Sequence, residues 1–237
     1  ALLVIEPGTI IKFRLYEGSM RVNQGGILIS AGTPDKPIIY TSEEEFPYFG
    51  DYLYAVYIEP TASSASKFVY NYVEYALIGL LIDNNQLDTP IENNFFFHIT
   101  SAIGQRGTNF TDIINNQIYD CWNDYGYISS GIEIFMESAA GQADANSHIL
   151  IKNNSIDMQD YGIWIHGTDT QNIGEVEIIN NIITGSVECA IDVGDVNTVR
   201  TTIAANGYYG NTYNKNRDFE ELYPIQSDDF PYQAGPG

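Results

Sequence analysis

A pair of asparagines standing after an apolar residue recurs along this chain, and the recurrence constrains the fold more than any other feature. It reads IENNF at 91, IINNQ at 113, IKNNS at 151 and IINNI at 178, with the related phrases VYNYV at 69 and YYGNT at 208. Counted from Asn94, the second asparagine returns after 22 residues at Asn116, then after 38, 27 and 30 at Asn154, Asn181 and Asn211. A shortest interval of 22 with variable excess describes one fixed structural unit that tolerates insertions.

The segments between the asparagines are short, rich in Ile, Val, Tyr and Phe, and alternate at period two, which excludes long amphipathic helices as the unit. GIEIF, GIWIH and AIDVG each send two apolar side chains one way and the residue between them the other. A 22-residue turn of mostly extended chain, at about 3.3 Å per residue, wraps once around a filled apolar interior. That unit is one coil of a parallel β-helix. At a corner between strands, asparagine tolerates left-handed dihedrals and bonds nearby backbone groups. Stacked at about 4.8 Å from coil to coil, identical amides also bond one another. The expectation is therefore a structural ladder through Asn94, Asn116, Asn154 and Asn181.

The stretch IEPGTIIKF…GSMRVNQGGILISAGTPDKPIIYTS, followed by GDYLYAVYIEP and FVYNYVEYALIGLLI, resembles the right-handed parallel β-helix repeat proteins of bacterial and archaeal cell surfaces, which fall in the broad pectate-lyase-like superfamily. The resemblance covers residues 3 to about 213. It implies a right-handed, all-β solenoid of about seven coils, and export from the cell. It says little about activity, because this scaffold carries lyases, hydrolases, adhesins and purely structural proteins. The expected division is a β-helix over 1–213 and a Pro-broken, acidic tail over 214–237 acting as cap, linker or docking segment. The opening ALLVIEPGTIIKF starts at once on a strand-like run, the expectation being a processed or excised piece of a longer exported protein.

The chain carries 31 acidic against 10 basic residues, a net charge of −21. That balance disfavours nucleic acid and anionic lipid as partners and leaves cations and neutral ligands. No run approaches the length of a transmembrane helix. Cys121 and Cys189, far apart, are read as two free buried thiols. Asn109 and Asn153 stand in glycosylation triplets. DVGDV at 192 and SDDF at 227 offer oxygen ligands of the kind calcium takes, without the spacing of a defined loop, and His98, His148 and His166 form no zinc pattern.

Aligning the strand that follows each corner stacks its outward positions into columns. One reads Tyr57, Leu81, Gly104, Glu133, Trp164, Asp192; the next reads Glu59, Asp83, Arg106, Phe135, His166, Gly194. Glu133 and Asp192, two coils apart around Trp164, match the separation of about 6.5–9.5 Å that inverting glycosidases use, with His166 or Arg106 to orient or protonate. Tyr57 and Trp164 are the candidate sugar platforms. Two readings follow. The favoured one is a non-catalytic extracellular module: a spacer, adhesin, sheath or filament subunit that touches polysaccharide and associates through its coil ends with copies of itself or with flanking domains. The competing one is a polysaccharide hydrolase or lyase working on the Glu133, Trp164 and Asp192 face.

Overall fold

The computed structural model describes residues 1–83, 85–122, 128–136, 148–157, 159–167, 172–194 and 197–215. These form a right-handed parallel β-helix of about seven turns. Each turn contributes one strand to each of three parallel sheets, of eight, eight and seven strands, here named A, B and C. Sheet A begins with Leu2–Ile5 and ends with Asn197–Ala204; sheet B runs from Ile10–Phe13 to Gly207–Tyr209; sheet C runs from Ser19–Val22 to Cys189–Val193. After the last of these strands, the amides of Ala190 and Ile191 donate to the carbonyls of Tyr213 and Asn214, so the winding continues to the end of the described chain. Most of the tail assigned above, residues 216–237, lies outside the described residues.

The double asparagine divides one corner's work between two side chains. The first residue of each phrase takes the left-handed conformation that turns sheet A into sheet B: Tyr70, Asn93, Asn115, Asn153, Asn180 and Ala205 have φ between 53° and 58°. The second is buried and forms the ladder. Asn71 Nδ2 donates to Asn94 Oδ1 at 2.9 Å, and the same bond repeats from Asn94 to Asn116, Asn116 to Asn154, Asn154 to Asn181 and Asn181 to Asn206 at 3.0–3.1 Å. Each Oδ1 also accepts the backbone N–H of the preceding ladder residue. Each Nδ2 from Asn94 onward sends its other hydrogen to a strand carbonyl, at Phe68, Ile91, Ile113, Ile151 and Ile178. Every amide is satisfied without water, as a buried polar group requires. At the N-terminal end Ser30 substitutes for a further asparagine, its hydroxyl donating to Asn71 Oδ1 at 2.6 Å and accepting from the Tyr40 hydroxyl at 2.6 Å.

All four expected rungs are in the ladder, while the last recurrence of the phrase lies elsewhere. The sixth ladder residue is Asn206 of AANGYY, 25 residues after Asn181, and not Asn211 of YYGNT. Ala205 holds the left-handed position there, so the pair reads Ala-Asn and escapes a search for doubled asparagine. Asn211 serves a different bend, accepting from the Ser186 amide and donating to the Ile183 carbonyl.

Inside the coils, aliphatic side chains stack in register, as in Ile103, Ile132, Ile163 and Ile191 of sheet C, all within 1% of complete burial. The first coils are filled by rings instead. Phe13 stacks on Tyr52 at 4.5 Å, and Tyr40 packs against Phe68 at 5.8 Å. A buried polar residue in this interior, Gln105, closes a two-bond ring with the backbone of Thr111, both bonds 2.7 Å.

These phenols predict an alkaline limit to stability. Burial raises Tyr40 and Tyr52 well above an ordinary tyrosine, and burial together with Glu74 pushes Tyr72 up to about 12. The folded state favours the neutral ring, so this stabilisation is complete below the unfolded value of about 10 and is lost as pH rises through the folded values. The melting temperature should stay level to about pH 10 and then fall steeply, with tyrosinate absorbance rising together with unfolding. Separate titration of the tyrosines with the fold intact to pH ~12 would contradict it.

Candidate functional site

The outer face of sheet C carries the expected columns. Tyr57, Leu81, Gly104, Glu133, Trp164 and Asp192 are consecutive register partners, and so are Asp83, Arg106, Phe135 and His166 beside them. Glu133 and Asp192 thus flank Trp164, two strand steps or about 9.6 Å apart along the solenoid.

The side chains make this face a closed stack. His166 Nε2 lies 2.9 Å from Glu133 Oε1, so one oxygen of the proposed acid is already engaged. The His166 ring lies flat on the Trp164 indole at 3.7 Å with a 9° interplanar angle. Tyr161, the preceding outward side chain of the same strand, stacks on Trp164 at 5.0 Å and 14°. Lying between them in strand order, the indole has its two faces occupied and offers a sugar only its edge. Phe135 packs against the other side of the cluster, 4.9 Å from His166. The second expected platform is occupied too: Arg21 lies over the Tyr57 ring at 5.3 Å, and the Tyr57 hydroxyl donates to Asp83 at 2.8 Å. Burial and that carboxylate push the Tyr57 phenol up to about 12. Leu81 occupies an outward position yet is 2% exposed, because its side chain folds over the space left by Gly104. Arg106 is exposed.

Asp192 opens elsewhere. It lines a pocket of about 300 Å³ at the last coil with Tyr161, Glu188, Cys189, Tyr213 and Lys215. Burial raises the Tyr161 phenol, and burial pushes the Cys189 thiol up to about 11. Cys121 is raised further by complete burial, so both free thiols are protonated at neutral pH and poor nucleophiles.

The three histidines stand apart: His98 pairs with Asp120 at 2.8 Å, His148 with Glu177 at 3.1 Å and His166 with Glu133. Among the described residues no group of three or more His, Cys, Asp or Glu side chains is placed to hold a metal. Asp195 of DVGDV and all of SDDF, two places where calcium ligands were expected, lie outside the described residues. Of the glycosylation triplets, Asn109 is exposed, while the Thr111 hydroxyl is buried and accepts the Leu87 amide at 2.8 Å. Asn153 is exposed in its left-handed corner, and its Oδ1 accepts from Asn180 at 2.7 Å.

A second surface, on sheet B, has a more open geometry. Its outward columns fall one and three residues after each ladder asparagine. The third-residue column runs Glu74, Phe97, Tyr119, Asp157, Thr184, Tyr209, and the first-residue column runs Tyr72, Phe95, Gln117, Ser155, Ile182, Gly207. The early part is an aromatic stack, with Tyr72 on Phe95 at 5.0 Å and Phe97 on Tyr119 at 6.1 Å. Beyond Tyr119 the rings give way to Asp157, Ser155, Thr184, Gly207 and one aliphatic side chain, Ile182, and a groove of about 600 Å³ opens before Tyr209 rises at its far end. Sequence reading missed this groove because it aligned the later strand of each coil; counting on from the ladder asparagine finds it.

No protein-family model matches the chain, and no curated protein matches it. Among solved structures it is similar to an alginate lyase from Paenibacillus sp. str. FPU-7, at 13% identity and a TM-score of 0.28, over 95% of this chain and 90% of that one. At that score the likeness carries no argument, and the fold rests on the strand register itself.

Proposed function

We propose that the chain is a non-catalytic extracellular β-helix module, a rigid structural or adhesive element of a cell surface, sheath or filament that contacts carbohydrate. One observation carries this reading: the face with the best claim to catalysis is internally satisfied. Glu133 is held by His166, and Trp164 is enclosed between His166 and Tyr161. A glycosidase acid must reach the glycosidic oxygen and a platform must present a bare ring face, and neither group is disposed to do so. The ladder supports the mechanical half of the reading, since a continuous buried amide column couples successive coils into a stiff rod. Association through the coil ends, with a copy or a flanking domain, belongs to the same proposal. Its support is the edge strand Leu2–Ile5, where Leu2, Leu3 and Val4 are 63%, 50% and 52% exposed.

The test is a turnover screen. Incubated with neutral and acidic polysaccharides, with and without calcium, the chain should release no reducing ends and no unsaturated uronate. Glu133→Gln and Asp192→Asn should be indistinguishable from the parent. Turnover by the parent that either substitution abolishes would replace this reading with the hydrolase or lyase one.

A further inference from the structure

We infer that the sheet B groove between Tyr119 and Tyr209 is a binding site for a neutral polysaccharide. The inference rests on the reading of a carbohydrate-contacting module and moves the contact from the sheet C stack to a different sheet.

The groove has the parts that sugar recognition needs. A pyranose ring presents patches of C–H that settle on an aromatic face, while its rim of hydroxyls both donates and accepts hydrogen bonds. Tyr119 and Tyr209 are 47% and 56% exposed and occupy the same outward column. Three coil steps separate them, about 14 Å at the usual strand spacing, so a short run of sugar rings fits between them. Phe97 stacks on Tyr119 from the preceding coil, at 6.1 Å and 11°. That contact holds the phenol ring upright and leaves its other face toward the groove, so little side-chain entropy remains to be lost on binding. Between the rings, the Asp157 carboxylate accepts from the Thr184 hydroxyl and keeps further lone pairs for ligand hydroxyls. Ser155 adds a hydroxyl, and Gly207 removes the side chain that would fill the space.

The floor is low for a backbone reason. Four residues after five of the six ladder asparagines the chain turns left-handed again: Tyr75, His98, Asp120, Gly185 and Gly210 have φ between 53° and 71°. In the earlier coils this corner carries large or charged side chains. In the two coils beyond Asp157 it is glycine, Gly185 and Gly210, which adopts the conformation without strain and contributes no bulk.

Charge selects among glycans. Among the described residues no lysine or arginine lines the groove, Asp157 sits in it, and the whole chain carries −21. A polyuronate or sulfated polymer would bring anions to a carboxylate with no cation to offset them, whereas a neutral polymer meets hydroxyls, an acceptor and the apolar surface of Ile182 and the tyrosine rings without that repulsion.

Affinity electrophoresis in gels containing galactomannan, xyloglucan, mixed-linkage β-glucan or polygalacturonate tests the site. The parent chain should be retarded by at least one neutral polymer and not by polygalacturonate. Tyr119→Ala and Tyr209→Ala should each weaken that retardation about three- to tenfold, and Tyr209→Phe should preserve it, since the ring and not the hydroxyl makes the stack. Both rings are half exposed, so truncation should leave the circular dichroism and melting temperature near the parent's. A measurement without variants is hydrogen exchange, which should slow at 182–185 and 207–210 when the retarding polymer is added. Retardation of the parent that both alanine variants retain, with no protection at these segments, would overturn the groove and leave the carbohydrate-contacting reading standing. No retardation by any of the four polymers would overturn both. Retardation by polygalacturonate alone would overturn the assignment to neutral glycans.

Discussion

Replacing Asn154 with leucine should destabilise the protein by about 3–5 kcal/mol and lower its melting temperature by roughly 10 °C, because one side chain serves four buried partners. Its Oδ1 accepts from both the backbone amide and the Nδ2 of Asn116, at 2.9 and 3.1 Å, and its Nδ2 donates to Ile113 O and Asn181 Oδ1, both at 3.0 Å. The residue is 1% exposed, so no water replaces what leucine cannot supply. Leucine fills the volume, which makes the loss one of hydrogen bonding and not of packing. Replacing Asn153, the adjacent left-handed residue, with glycine should cost little by comparison, since glycine holds its φ of 58° without strain. Equal effects at the two positions, measured by denaturant unfolding, would contradict the division of labour within the asparagine pair.

Gly162→Val should cost about 3 kcal/mol for the opposite reason, too much matter in too little space. A Cβ at Gly162 would lie 2.4 Å from Ile183 Cγ2 and 2.5 Å from the Ala190 carbonyl oxygen. The oxygen belongs to backbone in a parallel ladder and cannot move away without breaking register. The position belongs to a register-aligned column of small residues in six of the seven sheet C strands: Ala55, Gly79, Ala102, Gly131, Gly162 and Ala190. Each lets that strand approach the interior side chains of sheet B, such as Phe96 beside Gly79 and Ile156 beside Gly131. Gly194→Ala is the matched control, because a Cβ there meets nothing closer than 3.5 Å. Comparable melting temperatures for the two variants would show that the series is not a steric requirement.

Much of this architecture was legible because solenoid geometry converts sequence spacing directly into spatial register. Once the asparagine fixed each corner, the later strand of each coil fell into columns, and Glu133, Trp164 and Asp192 could be placed on one line without coordinates. Spacing did not reveal lateral contact. That Trp164 is sandwiched, and that Glu133 reaches diagonally to His166 and not straight along its column, depends on rotamers chosen by neighbouring rings. The ladder's last rung was missed because its left-handed partner is Ala205, a residue with no signature for that conformation. The groove was hidden in plain alternation: QIY, SID, IIT and GYY look like four ordinary short strands until they are stacked, when two tyrosines are seen to bracket an aspartate and a threonine.

The central claim is that this β-helix holds carbohydrate without transforming it, and one titration tests it directly. A size-defined neutral oligosaccharide, taken from a polymer that retards the chain, is titrated calorimetrically into the purified protein and then recovered and weighed by mass spectrometry. The account predicts a saturable binding isotherm, lost in the Tyr119→Ala, Tyr209→Ala double variant, and an oligosaccharide recovered at its starting mass. A shortened or dehydrated product, formed by the parent and not by Glu133→Gln or Asp192→Asn, would contradict it.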